Sequence, residues 1–164
     1  MFEKPFYNFL YSLFLVLITS AFCSYFNQVG MQNFYAQIKV SEWTPPDIYF
    51  SVVWFVLYIL MVFAFDFVLN SDKKQFIKPA ANIFTLNMFL QVLWCFTFFY
   101  AAQFLAGFTV LIILDIVTFI MIYMFYKIHK FAGLMIIPYF LWLLFATFLN
   151  WVIVDLNGTI FIIN

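Results

Sequence analysis

The chain has no arginine, one histidine, two cysteines and four glycines in 164 residues, and only 9% of it is charged. Each scarcity removes a class of function. One histidine and two separated cysteines, Cys23 and Cys95, give neither metal-ligand spacing nor a disulfide framework. No metal site is expected, and the cysteines read as small apolar packing residues. Four glycines leave no phosphate-cradling loop and no dinucleotide fingerprint. No Ser-His-Asp set or other catalytic constellation is visible. Seven lysines balance seven acids, and a net charge of zero excludes an electrostatic nucleic-acid partner.

What fills the space is apolar. Hydrophobic residues make up 68% of the chain and aromatics 26%, with a mean hydropathy of +1.07. A membrane-spanning helix needs about 20 apolar residues. Charge-free runs cover residues 5–38, 48–65, 79–114 and 131–154. The third is too long for one span, and Ala101, Ala102, Gln103 and Gly107 offer a turn within it. The expected fold is therefore all-α, a single integral membrane bundle of five transmembrane helices. The spans are placed near residues 6–27, 47–69, 79–100, 103–126 and 131–154. A cleavable signal peptide is the alternative for the first, but its amino-terminal stretch sets only Lys4 against Glu3 and no Ala-x-Ala site follows.

Lysines set the expected orientation. Lys4, Lys73, Lys74, Lys78, Lys127 and Lys130 fall on one side of a five-span bundle, and Lys39 stands alone on the other. The positive-inside rule then puts the N-terminus in the cytoplasm and the 28–46 loop and C-terminus outside. Helical spans fit an inner membrane, and the lysine-only, Phe/Ile/Asn-rich composition suggests a bacterial one.

The second span opens on Trp43-Thr44-Pro45-Pro46-Asp47 and carries Trp54 and Tyr58. Two prolines cannot continue a helix but can begin one, because first-turn amides have no partner anyway. At 1.5 Å per residue, Trp54 and Trp94 lie roughly 10 Å below the same mouth of the bundle, and Trp151 about one turn below it. These positions point to a shared aromatic cavity; an interfacial aromatic belt is the alternative, and suits Trp43 and Trp151 better than Trp54 and Trp94. Asn87, Gln91, Trp94 and Phe98 share one face of the third span, and Tyr139, Trp142, Ala146 and Asn150 repeat that spacing in the fifth. Amides in hydrocarbon need partners, so these faces point inward, as interhelical glue, as ligand contacts or as both. Asp115 lies near a bilayer centre, where a carboxylate is costly. A hydrogen bond to a group such as Asn87 or Thr118 is one reading, and ligand or proton chemistry the other. Pro138 is expected to kink the fifth helix and free a carbonyl. The phenylalanines read as lipid-facing bulk.

Three blocks of this sequence resemble the TspO/MBR family, the tryptophan-rich sensory proteins that include the mitochondrial translocator protein. They are Trp43-Thr44-Pro45-Pro46 running into Trp54, Tyr58 and Met61; Leu86-Asn87 with Gln91, Trp94 and Phe98; and Pro138-Tyr139 through Trp142, Ala146, Asn150 and Trp151 to Asn157. Asp115 matches an acidic position of the fourth helix. The resemblance implies a five-helix bundle, commonly a homodimer, whose pocket is closed by the 28–46 loop as a lid. It implies binding of protoporphyrin IX as a ligand, with no required cofactor, and of drug-like molecules. Ligand contacts would be Trp43, Trp54, Tyr58, Asn87, Gln91, Trp94, Phe98, Trp142, Ala146, Asn150 and Trp151. Some bacterial members are associated with light- and oxygen-dependent porphyrin breakdown, for which Trp54 and Trp151 match the implicated pair; porphyrin transport is a further alternative, although no internal repeat supports it. Two departures stand out. The family's first loop tryptophan and Lys-Pro are replaced by Phe34-Tyr35 and Lys39-Val40, and the sterol pattern is absent around Leu149-Asn150-Trp151.

Overall fold

The computed structural model describes residues 4–160, and every regular element among them is helical. Helices α1 (Pro5–Asn33), α2 (Asp47–Leu69), α3 (Lys74–Cys95), α4 (Phe104–Ile128) and α5 (Lys130–Asn157) are joined by short connections. The connection between α1 and α2 holds a 3-10 turn at Tyr35–Gln37, and α3 runs on into a π-helical turn at Phe96–Tyr100. All five are long and apolar enough to cross a membrane. Side chains such as Phe22, Phe55, Phe89 and Phe119 are exposed on the outside of the bundle, where lipid replaces water as the solvent.

Local chemistry explains the boundaries. Pro5 starts α1 behind an extended Lys4, and Pro46 is the N-cap of α2, whose first turn carries the acidic Asp47 against the positive helix end. The first helix extends to Asn33 rather than stopping near residue 27, so the loop is six residues shorter than expected. Asn27, Gln28, Gln32 and Asn33 are polar, but polarity alone does not end a helix. Gly30 lies inside this extension, and a β-carbon there would stand 2.7 Å from the Phe99 carbonyl oxygen. Glycine thus lets α1 approach the π-helical turn. Helix α3 begins at Lys74, five residues before the charge-free run, and takes Pro79 into its first turns. The missing amide leaves the Gln75 carbonyl without its helical donor, at a residue that is exposed.

The π-helical turn closes with Ala101 N–H donating to Phe96 O at 2.9 Å. Ala102 follows at φ 51°, a left-handed conformation that a small side chain tolerates best. A single extended residue, His129, joins α4 to α5, and Gly133 accommodates Tyr126, whose Cβ would lie 2.6 Å from an added methyl.

Around the bundle the helices run α1, α2, α5, α4, α3 and back to α1. The end holding Lys73, Lys74 and Lys127 is packed with buried aromatic side chains. There Phe65 of α2 stacks on Phe84 of α3 at 4.0 Å and 12°, and Phe125 of α4 continues the stack at 6.1 Å from Phe84. All three are fully buried, so these phenylalanines are core, not lipid-facing bulk. Their spacing in three separate helices gives no sequence signal of the stack. Truncating Phe84→Ala is expected to cost on the order of 3–5 kcal/mol, read as a marked fall in the thermal unfolding midpoint of the detergent-solubilised protein. Phe89→Ala, on the exposed face, is expected to leave that midpoint nearly unchanged.

Candidate functional site

Above the phenylalanine stack, hydrogen bonds cross the bundle. Asn87 Nδ2 donates to Thr118 Oγ1 at 2.7 Å. The Tyr139 hydroxyl donates towards Asn87 Oδ1 at 3.0 Å and Gln91 Oε1 at 3.3 Å. Gln91 Nε2 donates to the Tyr58 hydroxyl at 2.8 Å. These bonds tie α4, α3, α5 and α2 together, so both amides serve as interhelical ties. Asp115 takes a different partner from those expected: its Oδ2 accepts from Thr147 Oγ1 at 2.8 Å, linking α4 to α5, while Thr118 is engaged by Asn87.

On this polar floor stands an aromatic cluster. Trp54 lies 5.6 Å from Tyr58, 6.2 Å from Trp94 and 6.2 Å from Tyr139, centroid to centroid. Trp94 is held in place by its indole N–H, which donates to Asn150 Oδ1 at 3.3 Å. Asn150 Nδ2 in turn donates to the Phe104 carbonyl at 2.9 Å. Gly107 makes room for this arrangement, with Asn150 Oδ1 only 3.1 Å from where a β-carbon would be.

Two cavities adjoin the cluster. The larger, about 560 Å³, is lined from α1 by Ser20, Ser24 and Asn27 and from the other side by Trp54, Tyr58 and Gln91. The smaller, about 160 Å³, lies under the loop and is lined by Tyr35, Asp47, Phe98, Ala146, Asn150 and others. Trp94, Phe99, Phe50, Ser51 and Asn27 border both. Trp94 therefore stands as part of the partition between two compartments of one chamber.

The expected residues divide accordingly. Trp54, Tyr58, Gln91 and Trp94 line the larger cavity, and Trp94, Phe98, Ala146 and Asn150 line the smaller. Asn87 is buried below, within the floor. Trp142 lies against Phe50 at 5.3 Å and backs the wall without lining either cavity. Trp43 is 74% exposed in the loop. Trp151 is 49% exposed and packs on Phe108 of α4 at 5.2 Å, so it is not brought together with Trp54. The cause is angular: Asn150 points inward, and the next residue is rotated by about 100°. Depth along the helix placed Trp151 near the cavity, but depth does not fix azimuth. Pro46 caps the start of α2 with Pro45 just before it, and Pro138 lies inside α5.

The α1 wall went unread in the sequence. Ser20, Ser24, Asn27 and Gln28 occupy one helical face at i, i+4, i+7 and i+8 and border the larger cavity. Cys23 and Cys95, read as separate packing residues, border that same cavity. His129 is at the opposite end of the bundle, stacked on Phe67 at 4.9 Å and 12°. No group of three or more metal-ligating side chains occurs among the described residues.

The loop is pinned at several points. Phe34 is buried against Phe104 at 5.7 Å. Tyr35 sits 6.3 Å from Phe99. Lys39 and Asn157 exchange two hydrogen bonds, Lys39 N–H to Asn157 Oδ1 at 2.8 Å and Asn157 Nδ2 to Lys39 O at 2.7 Å. The loop that roofs the smaller cavity is thus fastened to the end of α5.

The TspO/MBR family profile matches residues 12–155. The chain belongs to the TspO/MBR family. The tryptophan-rich protein TspO of Chlorobaculum tepidum is 32% identical over 125 residues, 76% of this chain and 79% of that protein. The tryptophan-rich protein TspO of Archaeoglobus fulgidus is 32% identical over 147 residues, 90% and 95% of the two chains. A tryptophan-rich sensory protein of Cereibacter sphaeroides is 23% identical over 76% of this chain and 77% of its own. Membership with five membrane-length helices makes this an integral membrane protein. In this TspO/MBR chain the loop is anchored through Phe34, Tyr35 and the Asn157 clamp.

Burial, reinforced by the negative charge of Asp47, pushes the Tyr35 phenol above its ordinary value of 10.0. The folded state therefore favours the neutral phenol. Its contribution is present below the unfolded-state value of about 10 and is lost as pH rises through the folded one. Loop protection against proteolysis is expected to fall in that alkaline range, and Tyr35→Phe to flatten the fall. Asn157→Ala removes both bonds to Lys39, each worth about 0.5–1.5 kcal/mol. Amide exchange at Lys39 is expected to quicken by about 10- to 100-fold, with exchange in the α3 core unchanged.

Proposed function

We propose that this protein is a membrane receptor or sensor that binds an amphiphilic tetrapyrrole such as protoporphyrin IX in the chamber bordered by Trp54 and Trp94. One observation carries the reading: Trp54, Trp94, Tyr58 and Tyr139 cluster beside a cavity of about 560 Å³. That size falls in the range of small-molecule sites, roughly 300–1,000 Å³. Flat aromatic walls suit a flat conjugated ligand, because offset and edge-on ring contacts add to simple burial. Names of relatives such as the tryptophan-rich sensory protein agree with a sensing role.

The chemistry of the lining refines the pose. No lysine borders either cavity, and Asp47 borders the smaller one. Carboxylates of a porphyrin would find no cation inside and would turn to the polar rim made by Ser24, Asn27 and Gln28. Binding would then rest on ring burial. The position of Trp151, outside both cavities, favours binding over a photochemical relay that needs Trp54 and Trp151 on one ligand. Six lysines at one end support, through the positive-inside rule, an orientation with that end in the cytoplasm and the pinned loop outside an inner membrane.

Titration of the purified protein with protoporphyrin IX in the dark, followed by tryptophan quenching, tests this reading. Saturable quenching is expected, weakened several-fold by Trp54→Phe and unchanged by Trp151→Phe. The dimethyl ester is expected to bind at least as tightly as the free acid, with little dependence on salt. Quenching that never saturates, or that ignores Trp54→Phe, would remove the tetrapyrrole from this chamber.

A further inference from the structure

Beside the aromatic cluster, two thiols from different helices share the larger cavity. Cys23 lies on α1 and Cys95 at the end of α3. Both border the cavity and both are free and buried. Cys23 Sγ sits 3.7 Å from the Gln91 carbonyl oxygen, which belongs to the helical turn that carries Cys95. Helices α1 and α3 pack against one another, and both thiols stand on that seam. A disulfide needs β-carbons roughly 3.5–4.5 Å apart, and the seating of Cys23 Sγ on the carbonyl one turn before Cys95 brings its thiol to the turn from which Cys95 faces the same cavity.

We propose that Cys23 and Cys95 form a redox-active dithiol in the wall of the chamber, which a peroxide converts into a disulfide bridging α1 and α3. The cavity gives a small neutral oxidant access that a solid core would refuse. In the first step one sulfur attacks a peroxide oxygen; the O–O bond breaks, water leaves, and a sulfenic acid remains. The second sulfur then displaces that hydroxyl, which departs with the second thiol's proton as water. Two thiols and one hydrogen peroxide thus give one disulfide and two waters. Neighbouring thiols favour this outcome, because a sulfenic acid condenses with a nearby thiol. A buried thiol reacts slowly compared with an exposed thiolate, so conversion is expected over long incubation with excess peroxide.

The bridge would close a loop running through the outer part of α1, the pinned connection, α2 and α3. Helix α1 buries the least of its span among the five helices, 22%, so a covalent tie to α3 acts where packing is thinnest. The result would be a chamber whose α1 wall is fixed beside Gln91 and Trp94. This inference does not depend on which ligand the chamber takes.

The test treats the full-length protein in detergent with hydrogen peroxide, quenches it, denatures it and counts free thiols by maleimide labelling. Peptide mass mapping without reductant follows. The expected result is loss of both thiols together, an intact mass lower by two hydrogen atoms, and a cross-linked peptide joining Cys23 to Cys95 that dithiothreitol releases. The thermal unfolding midpoint is expected to rise in the oxidised form. In Cys23→Ser the reversible loss should vanish, with Cys95 either unreacted or over-oxidised; the wild-type mass map stands alone if that variant fails to fold. Retention of both thiols would overturn the proposal. So would their separate conversion to sulfinic or sulfonic acids, or disulfides found only between molecules.

Discussion

The bonds that run from Thr118 through Asn87, Tyr139 and Gln91 to Tyr58 set the rest of the structure. In hydrocarbon, an unpaired amide has no water to fall back on, so each must find a partner inside the bundle. One hydroxyl, that of Tyr139, serves the carbonyl oxygens of two amides one turn apart. This fixes the rotation of α3 and α5 about their own axes, and Thr118 and Tyr58 extend the constraint to α4 and α2. Below it the helices close on the Phe65, Phe84 and Phe125 stack. Above it they part around two cavities. The polar layer is thus both the tie that holds four helices in register and the floor of the chamber.

Trp94 shows how that register becomes a site. It lies one turn above Gln91 on the same face of α3, so the rotation that satisfies Gln91 also turns the indole inward. Asn150 then takes the indole N–H, and Gly107 leaves space for Asn150 to reach it. The π-helical turn that follows carries Phe99 against Tyr35 of the loop and Phe98 against Phe104 of α4. A helix boundary defect, a small residue and a buried amide therefore cooperate to position one aromatic wall. The Asn157 clamp fastens the loop over it from the end of α5.

Much of this was legible in the residues. Apolar run lengths and the lysine pattern fixed five spans, and the 3.6-residue spacing of Asn87, Gln91 and Trp94 identified their inward face. What escaped had physical reasons. Periodicity places residues on a face but does not say which neighbour they meet, so Asp115 was not matched to Thr147. Depth without azimuth put Trp151 beside Trp54, where the helix turns it outward. Abundance hid the phenylalanine stack, because Phe65 and Phe125 look like any of the other phenylalanines in a lipid-facing sequence. The polar face of α1 was visible as Ser20, Ser24 and Asn27, but an amino-terminal span invites reading as an anchor rather than as a wall. The convergence of Cys23 and Cys95 on one cavity depends on the pairing of α1 with α3, which spacing cannot show.

The account rests on a ligand lying between α1 and the Trp54–Trp94 pair. Fluorine NMR of protein carrying 5-fluorotryptophan measures this directly, because the chain has five tryptophans at five distinct positions. Addition of protoporphyrin IX in the dark is predicted to shift the Trp54 and Trp94 resonances strongly through the ring current, to move Trp142 less, and to leave Trp43 and Trp151 in place. Shifts confined to Trp43 or Trp151, or equal at all five, would contradict it and place the ligand on the surface of the bundle.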